Sequence, residues 1–377
     1  MKINGDALSL TIKLLSFNTI NPPGQENDCA RFIGKLLEDG GFKTTYHEFS
    51  KGRTSLVARL EGSTDKPPIC FTGHIDTVPL GTVKWQKDPF GGEIDGNKLY
   101  GRGSTDMKSG IAAMVLAALE AAKIQSRKSG ITLVITAGEE TACQGAHYLA
   151  ELGNVLGKAG AIVVGEPTSN RPLVGHKGAL WLEACTTGVT AHGSMPDQGT
   201  NAIYAAARIV DKLEKFQFSI PPHPLLGPPT LNVGTISGGM NINSVPDKTT
   251  IGIDIRTVPG QCHENVFKEL QSYLEDKVEF NRIVDVDGIS TDPQHEWIRQ
   301  VFDIMENFEE RPVPCGATYF TDGSVLTPAF GNPPTVILGP GEAAMAHKTD
   351  EFCFVSRIED ATGAYTEIAR QWCDVSM

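Results

Sequence analysis

The sequence predicts an α/β protein in which a three-layer domain with a mostly parallel sheet carries an inserted ferredoxin-like (βαββαβ) domain. Short, apolar, β-branched runs alternate with helical patterns in the first half, as strands and helices do around a parallel sheet. The order then becomes strand–helix–strand–strand–helix–strand before the α/β pattern returns. We therefore expect one discontinuous domain, 1–176 with 287–377, and an inserted domain, 177–286.

The elements follow from residue patterns along the chain. In the first domain, strands are short apolar runs and helices show a period near 3.6 residues. The predicted strands are 54–62, 67–76, 130–138, 160–167 and 335–341, and the predicted helices are 107–124 and 357–373. In the inserted domain the strands are 178–187, 230–237, 249–258 and 280–288, and the helices are 201–216 and 262–278.

Composition narrows the classes of function. The chain has 377 residues and a formal net charge of −12, which argues against nucleic acid and anionic membrane as partners. No apolar run approaches the ~20 residues of a membrane span, and the N-terminal segment is typical of an amphipathic helix, not a signal peptide. The eight cysteines form no C-x-x-C pair, so reduced thiols in the cytoplasm are the simpler expectation.

Polar residues stand where the predicted strands end. Glu139 and Glu140 follow the apolar run 131–136, and Glu166 follows the next predicted strand. A buried carboxylate without a partner is costly, so adjacent carboxylates at a buried strand end need an explanation. Glutamates that simply begin the following helix are the alternative, and these residues alone do not decide between the two readings.

Further polar residues extend the same pattern. His74 and Asp76 are two apart at a strand end and point to the same side of an extended chain. Asp106 lies in a Gly-rich turn before a long helix, and His347 lies in a Gly/Pro-rich loop. Each residue has a structural alternative, such as helix capping by Asp106. Together they predict a cluster, because strand ends of an open α/β sheet line one crevice.

The chemistry of such a cluster favours metal ions. Imidazoles and several carboxylates converging in one place repel or shift their pKa values unless cations neutralise them. Histidine and carboxylate ligands without cysteine suit zinc, cobalt or manganese, and a bridging carboxylate suits two metals ~3.5–4 Å apart. The sequence therefore predicts a metal site in the first domain.

Six motifs resemble one known family in their order along the chain. The family is the zinc-dependent amidohydrolases that include acetylornithine deacetylase, succinyl-diaminopimelate desuccinylase, aminoacylase and glutamate carboxypeptidase. The resemblance runs from about residue 10 to the C-terminus. The motifs are GHIDTVP (73–79), GRGSTDMKSG (101–110), AGEE (137–140), GEPT (165–168), AHGSMPDQGTNAI (191–203) and GPGEAAMAHKTDE (339–351).

The resemblance implies roles for these residues around two zinc ions per subunit, with cobalt or manganese as possible substitutes. It implies that one zinc is held by His74, Asp106 and Glu166. It implies that the other is held by Asp106, Glu140 and His347, so that Asp106 bridges the two.

The same resemblance implies a catalytic role for the residues beside the ligands. Asp76 would fix the tautomer of the histidine that precedes it, and Glu139 would act as general base and acid in amide hydrolysis. It also implies a cis peptide bond after Asp106.

The inserted domain supplies the remaining expectations. By resemblance, His192 reaches the active site from the partner subunit of a homodimer and stabilises the oxyanion, so the inserted domain would serve as lid and dimerisation domain. Arg256 resembles the arginine that binds the substrate's α-carboxylate. Asn243 resembles another substrate contact, with an ordinary turn asparagine as a close alternative.

The expected substrate is an N-acyl amino acid. The segments 176–188 and 196–203 are more similar to acetylornithine deacetylase, and the paired arginines of the desuccinylase are missing after Glu166. Desuccinylase, dipeptidase and glutamate carboxypeptidase activities remain alternatives on the same metal site. A non-catalytic binding protein is the second class of function, but such a relative is expected to have lost a ligand or the base, and all are present here.

Overall fold

The computed structural model describes residues 6–124, 126–275, 278–308 and 312–374. Within these ranges, no helix combines the length and apolarity that a membrane crossing requires. The α-helices of the described residues are α1 (Ala7–Leu15), α2 (Asn27–Asp39), α3 (Lys108–Ala122), α4 (Gln144–Glu151), α5 (Ala202–Glu214), α6 (His263–Leu274), α7 (Glu296–Met305), α8 (Gly323–Ala329) and α9 (Val355–Trp372).

The strands confirm the predicted alternation and add elements that the sequence patterns did not reveal. They are β1 (Lys43–Ser50), β2 (Arg53–Leu60), β3 (Ile69–His74), β4 (Ile94–Asp95), β5 (Lys98–Tyr100), β6 (Ile131–Thr136), β7 (Ala161–Val164), β8 (Gly175–His176), β9 (Gly178–Thr187), β10 (Thr230–Gly238), β11 (Lys248–Thr257), β12 (Glu279–Val286), β13 (Ile289–Ser290), β14 (Thr335–Ile337) and β15 (Phe352–Phe354).

The chain divides into two compact units. The first comprises Met1–Gly175, Ser290–Cys315 and Thr321–Met377, and the second comprises His176–Ile289 with Gly316–Phe320. The last segment differs from the sequence expectation, which placed it in the discontinuous domain. It belongs to the second unit because the backbone N–H of Lys177 donates to the carbonyl of Ala317 (3.1 Å).

The first unit is built on a six-stranded sheet in the order β1-β2-β6-β3-β7-β14. Strands β6, β3, β7 and β14 are parallel, and β2 is antiparallel to both β1 and β6. The prediction of a mostly parallel central sheet is therefore confirmed. Strands β3, β6 and β7 are buried along their whole length, which explains their uninterrupted apolar sequences.

Helices cover both faces of this sheet. On β2, the hydroxyl of Thr54 donates to Asn27 at the start of α2, whereas Ser55 accepts the N–H of Ala137 beside α4. Successive side chains of a strand point to opposite faces, so α2 and α4 lie on opposite sides. Helices α3 and α9 pack together, and on β3 the ring of Phe71 contacts Tyr365 of α9. The unit has three layers.

The second unit contains the βαββαβ order between β9 and β12. Its four strands form an antiparallel sheet in the order β10-β11-β9-β12. Alternate residues of β9 and β11 pack against α5 and α6 in one apolar core. The opposite sheet face is polar, and it carries Trp181, Asp254 and Arg256. The helices therefore cover a single face of this sheet.

Helix α3 approaches the end of β7 so closely that only glycine fits at one position. A Cβ atom on Gly110 would lie 2.3 Å from the carbonyl oxygen of Gly165, the residue before Glu166. We expect Gly110→Ala to lower the free energy of unfolding by roughly 1–3 kcal/mol, the usual cost of overpacking, as measured by urea denaturation. Gly234→Ala is the control, because the nearest atom to its Cβ would be 3.8 Å away. Equal stabilities of the two variants would contradict this packing argument.

Candidate metal centre

His74 closes β3 with its ring turned into the protein. Its side chain is only 1% exposed, and its Nδ1 lies 3.0 Å from the carbonyl oxygen of Asp76. An Nδ1–H that donates to this oxygen leaves Nε2 with a free lone pair, the form in which histidine binds metals. Nε2 lies 3.1 Å from Oδ1 of Asp106 and 3.7 Å from Oε1 of Glu166.

The Asp76 carboxylate joins three parts of the site. It is fully buried and accepts hydrogen bonds from the backbone N–H groups of Glu139 (3.1 Å) and Glu140 (3.2 Å). The side-chain amide of Asn21 donates to Oδ2 (2.9 Å), the oxygen that also accepts from Glu140. Because its carbonyl also accepts from His74, one residue fixes both the imidazole and the glutamate turn.

Asp106 stands between the two histidines. Its Oδ1 faces Nε2 of His74 (3.1 Å), and its Oδ2 faces Nε2 of His347 (3.5 Å). The peptide bond between Asp106 and Met107 is cis, as the resemblance implies, and α3 begins one residue later. The two oxygens of a single carboxylate thus address two different imidazoles, which is the arrangement of a bridging ligand.

The two glutamates after β6 have different surroundings. They form one turn of 3₁₀ helix behind Gly138, whose φ of +78° favours glycine. Glu140 Oε2 lies 3.2 Å from Nε2 of His347, and its Oε1 has no hydrogen-bond partner among the described residues. Glu139 is 6% exposed. It shares a cluster with His74 and Glu166, in which one ligand atom from each residue lies within 4.8 Å of the others.

The predicted ligands therefore come together in the first unit. A second group of His74, Asp106 and Glu140 also has ligand atoms within 4.8 Å of one another. His347, whose side chain is 56% exposed, closes the cluster from the loop before β15. The residues lie close together, as the sequence predicts. Their roles as metal ligands stay predictions.

Burial and mutual repulsion shift the carboxylate pKa values. Burial, reinforced by neighbouring carboxylates, raises the pKa values of Glu139 and Glu166 well above the usual range of glutamate. Burial and the charge of Asp106 likewise raise the pKa of Glu140. Asp106 behaves differently, because hydrogen bonds from His347 and His74 outweigh its burial and lower its pKa.

The same carboxylates also raise the pKa values of the two histidines. Hydrogen bonds to Asp106 and Glu140 raise the pKa of His347 to about 10. Burial alone would lower the pKa of His74, but the charge of Glu166 and hydrogen bonds to Asp106 and Asp76 raise it well above its ordinary value. The glutamates and histidines of the cluster thus have raised pKa values, so the cluster favours bound positive charge.

Divalent metal ions fit this donor set. The imidazole nitrogens and carboxylate oxygens are ligands of zinc, cobalt and manganese. The Oε1 of Glu140 has no hydrogen-bond partner among the described residues and so offers free lone pairs. The two oxygens of Asp106 face different imidazoles, as those of a carboxylate between two metals would. A cation pair would supply the positive charge that this cluster favours and would bind the carboxylates in their deprotonated form.

The remaining predicted residues lie in the second unit. Asn243 accepts the backbone N–H of Gly193 (2.7 Å), which brings it next to His192. Nδ1 of His192 accepts the N–H of Ser194 (3.2 Å), so the ring proton of the neutral imidazole lies on Nε2. His192 and Asn243 are exposed.

Arg256 lies away from this loop, on the open sheet face of the same unit. Its Nε contacts Oδ1 of Asp254 (2.9 Å), and its guanidinium lies over the rings of Trp181 and Phe320. One edge of the Arg256 guanidinium is thus paired with the carboxylate of Asp254, and two aromatic rings lie against its face.

Some residues that support the site were not among those predicted from the sequence. Asn21 holds Asp76, and Glu351 accepts the backbone N–H of Asp106 (3.0 Å). Asp322 is 1% exposed, accepts a hydrogen bond from Thr136, and raises the pKa of Glu139 by its charge. Two of them had a signal in the sequence. Glu351 lies four residues after His347 in AHKTDE, and Asp322 lies in YFTDGS (319–324), a segment whose resemblance was too loose to select it.

The chain is similar in sequence to a known family of peptidases and to enzymes of known name. The sequence profile of Peptidase family M20/M25/M40 matches residues 70–371. A probable succinyl-diaminopimelate desuccinylase of Staphylococcus epidermidis is 29% identical over 403 residues, covering 96% of this chain and 98% of that protein. An acetylornithine deacetylase of Buchnera aphidicola subsp. Schizaphis graminum is 32% identical over 317 residues, covering 82% and 81%.

A solved structure shares the fold over nearly the whole chain. The M20 family metallo-carboxypeptidase Sso-CP2 from Sulfolobus solfataricus has a TM-score of 0.83 at 17% identity, covering 98% of this chain and 99% of that one. The fold and the clustered ligands define a metal-dependent hydrolase. The chain belongs to Peptidase family M20/M25/M40.

Removal of one predicted ligand should affect one metal site and leave the other occupied. We expect His347→Ala to lower the bound metal from two ions to one per chain, because only one of the two ligand sets that the resemblance implies, that of Asp106, Glu140 and His347, contains this residue. Metal content by atomic absorption after dialysis checks this. His147→Ala is the control, since His147 is exposed on α4. Two tightly bound ions in His347→Ala would refute the assignment of this ligand.

Proposed function

We propose that the protein is a dizinc amidohydrolase that removes the acyl group from an N-acyl amino acid. His74, Asp106 and Glu166 hold one zinc, and Asp106, Glu140 and His347 hold the other. The single observation that carries the proposal is the position of Asp106, whose two oxygens face two different imidazoles at 3.1 and 3.5 Å. Cobalt or manganese could substitute, because both accept the same ligands.

The chain's own residues perform the proton transfers. A bound metal pair supplies an acidified water and polarises the amide carbonyl. Glu139 accepts the proton of the attacking water and returns it to the leaving amine nitrogen. Its burial and raised pKa suit a carboxylate that must both take up and release a proton. Asp76 keeps the proton of His74 on Nδ1 and orients the turn that carries Glu139.

The second unit acts as lid and dimerisation domain in this proposal. Strand β10 is the edge of its sheet, so one side of its backbone is open to pairing with another chain. Exposed apolar side chains surround this edge and the adjacent start of α5, as expected for an interface. They are Ile203, Tyr204, Ile236, Met240 and Ile242.

His192 completes the site from the partner subunit of a homodimer. Its loop is bridged to Ser244, in the segment that follows Met240 and Ile242. The proton on Nε2 makes this nitrogen a donor, which is the form needed to stabilise an oxyanion. Dimerisation is thus a condition of activity in this proposal.

Arg256 and Asn243 bind the substrate. The guanidinium of Arg256 has a fork geometry that matches a carboxylate, and Asp254 occupies only part of its donors. Asn243 lies beside His192 and supplies an amide that could contact the same molecule.

The preferred substrate is N-acetylornithine, on the likeness of 176–188 and 196–203 to the deacetylases. N-succinyl-diaminopimelate is the second candidate, because the desuccinylase of S. epidermidis matches 96% of the chain. Dipeptides are the third, because the M20 fold is shared with a carboxypeptidase.

The substrate is tested by measuring free-amine release from N-acetylornithine, N-succinyl-diaminopimelate and a dipeptide, with zinc or cobalt supplied and a chelated control. We expect the acetyl compound to be preferred by ~100-fold in kcat/KM, about 2.7 kcal/mol of transition-state binding. The chelated enzyme should be inactive on every substrate. A preference for the succinyl compound or the dipeptide would replace the deacetylase proposal and leave the metal site intact.

Mixed dimers test whether His192 acts across the interface. His192→Ala and Glu139→Gln should each be nearly inactive alone, since an oxyanion donor contributes ~10²–10³-fold and a general acid–base group ~10²–10⁴-fold. A refolded equal mixture should regain about a quarter of wild-type activity, because half the dimers then contain one intact site of two. Refolding each variant with wild-type chains is the control. A mixture as inactive as its parents would show that His192 serves its own chain or no site.

A further inference from the structure

Glu351 is a buried carboxylate that contacts the Gly-rich turn at several points. It is 0% exposed, and its Oε1 accepts the backbone N–H groups of Thr105 (2.7 Å) and Asp106 (3.0 Å). Its Oε2 accepts the N–H of Gly103 (3.0 Å) and Nη1 of Arg102 (2.6 Å). Both oxygens are thus held by two donors each, and every donor belongs to residues 102–106.

The neighbours of Glu351 continue this connection. Its own carbonyl accepts the N–H of Gly101 (3.0 Å), and the carbonyl of Phe352 accepts the hydroxyl of Thr105 (2.6 Å). That hydroxyl in turn accepts the N–H of Glu342 (3.3 Å), at the other end of the loop that carries His347. The turn and the loop are therefore joined at both ends of the loop.

A gain in folding stability does not by itself explain why the ion pair of Arg102 and Glu351 is so deeply buried. Arg102 is 1% exposed; its Nη2 donates to the carbonyl of Pro79, and its guanidinium lies over the ring of Trp85. Removing two charges from water costs several kcal/mol per ion, so a buried pair often adds little net stability. Its value lies in geometry, because four charge-assisted hydrogen bonds define the turn's position closely.

The ligands differ in how much they depend on this connection. His74 ends β3 and Glu166 follows β7, so the central sheet supports both. His347 lies in an irregular loop with φ +64° and a side chain that is 56% exposed. Asp106 is attached to Glu351 directly. The group of Asp106, Glu140 and His347 is thus the one that needs Glu351 most.

We propose that Glu351 is a positioning residue that sets the metal affinity of the site formed by Asp106, Glu140 and His347. It does so by fixing the turn of Asp106 against the loop of His347, without touching the metal. This inference rests on the proposed ligand set. The metal affinity of one site is then sensitive to Glu351, which is a ligand of neither metal, and that of the other site is not.

The test is a zinc titration of the metal-free protein against a competing chelator. In Glu351→Gln, one end of the amide presents an NH₂ group to two donors, so at least two hydrogen bonds are lost. We expect one of the two binding steps to weaken by ~10–100-fold, as removal of residues that orient ligands usually does. The other step should change by less than ~3-fold. Glu351→Asp keeps the charge and should lie between wild type and Glu351→Gln.

Two variants give the titration its controls. His347→Ala identifies which step belongs to the affected site, and the step weakened in Glu351→Gln must be the same one. Glu26→Gln removes the charge from a second buried pair, in which Nε of Arg53 lies 2.8 Å from the carboxylate. It should lower stability to urea without a selective loss of either zinc. The cobalt absorption spectrum is a further readout, and it should change in Glu351→Gln but not in Glu26→Gln.

The outcomes separate the inference from the proposed function. Wild-type protein that binds fewer than two zinc ions would overturn the ligand set and this inference with it. Wild-type protein with two zinc ions and unchanged affinities in Glu351→Gln would overturn the inference alone. Equal weakening of both steps, or failure of both Glu351 variants to fold, would assign Glu351 a purely structural role and also overturn it.

Discussion

The burial of carboxylates around two imidazoles is the constraint on which the rest of the structure depends. Asp76, Asp106, Glu139, Glu140 and Glu166 are at most 13% exposed. All but Asp106, which lies in the turn before α3, follow buried strands of the central sheet. Charges of one sign cannot be gathered in this way without compensation. Burial and this crowding of negative charge raise the pKa values of Glu139 and Glu166, and hydrogen bonds to two of the carboxylates raise that of His347. A pair of divalent cations would neutralise the negative charge.

Two buried carboxylates, Asp76 and Glu351, support the turns that carry the predicted ligands. Asp76 accepts the N–H groups of the Glu139–Glu140 turn, and Glu351 accepts those of the turn that carries Asp106. In both cases a buried anion organises backbone donors that would otherwise be unsatisfied. The proposed ligands and the proposed base, Glu139, are thereby held in place, as a hydrolytic metal site requires.

Much of the fold was predictable because it depends on local patterns. The apolar runs of β3, β6 and β7 and the period of α3 and α9 identify the layers, and the helices and strands lie within a few residues of their expected limits. Strand β1 was missed because its alternating burial resembles an exposed polar segment. The segment Gly316–Phe320 was misplaced because its pairing partner, around Lys177, lies far away in the sequence.

The sequence by itself determined which residues could meet, because parallel strands end at one edge and their terminal side chains converge. His74, Asp106, Glu140, Glu166 and His347 were selected on that ground and on resemblance. Only the tertiary structure decided that the oxygens of Asp106 divide between two histidines, and that Asn21 and Glu351 support the site. These contacts join residues up to 245 positions apart. Hydrogen bonds of such range leave no local pattern, because nothing near either partner reveals the other.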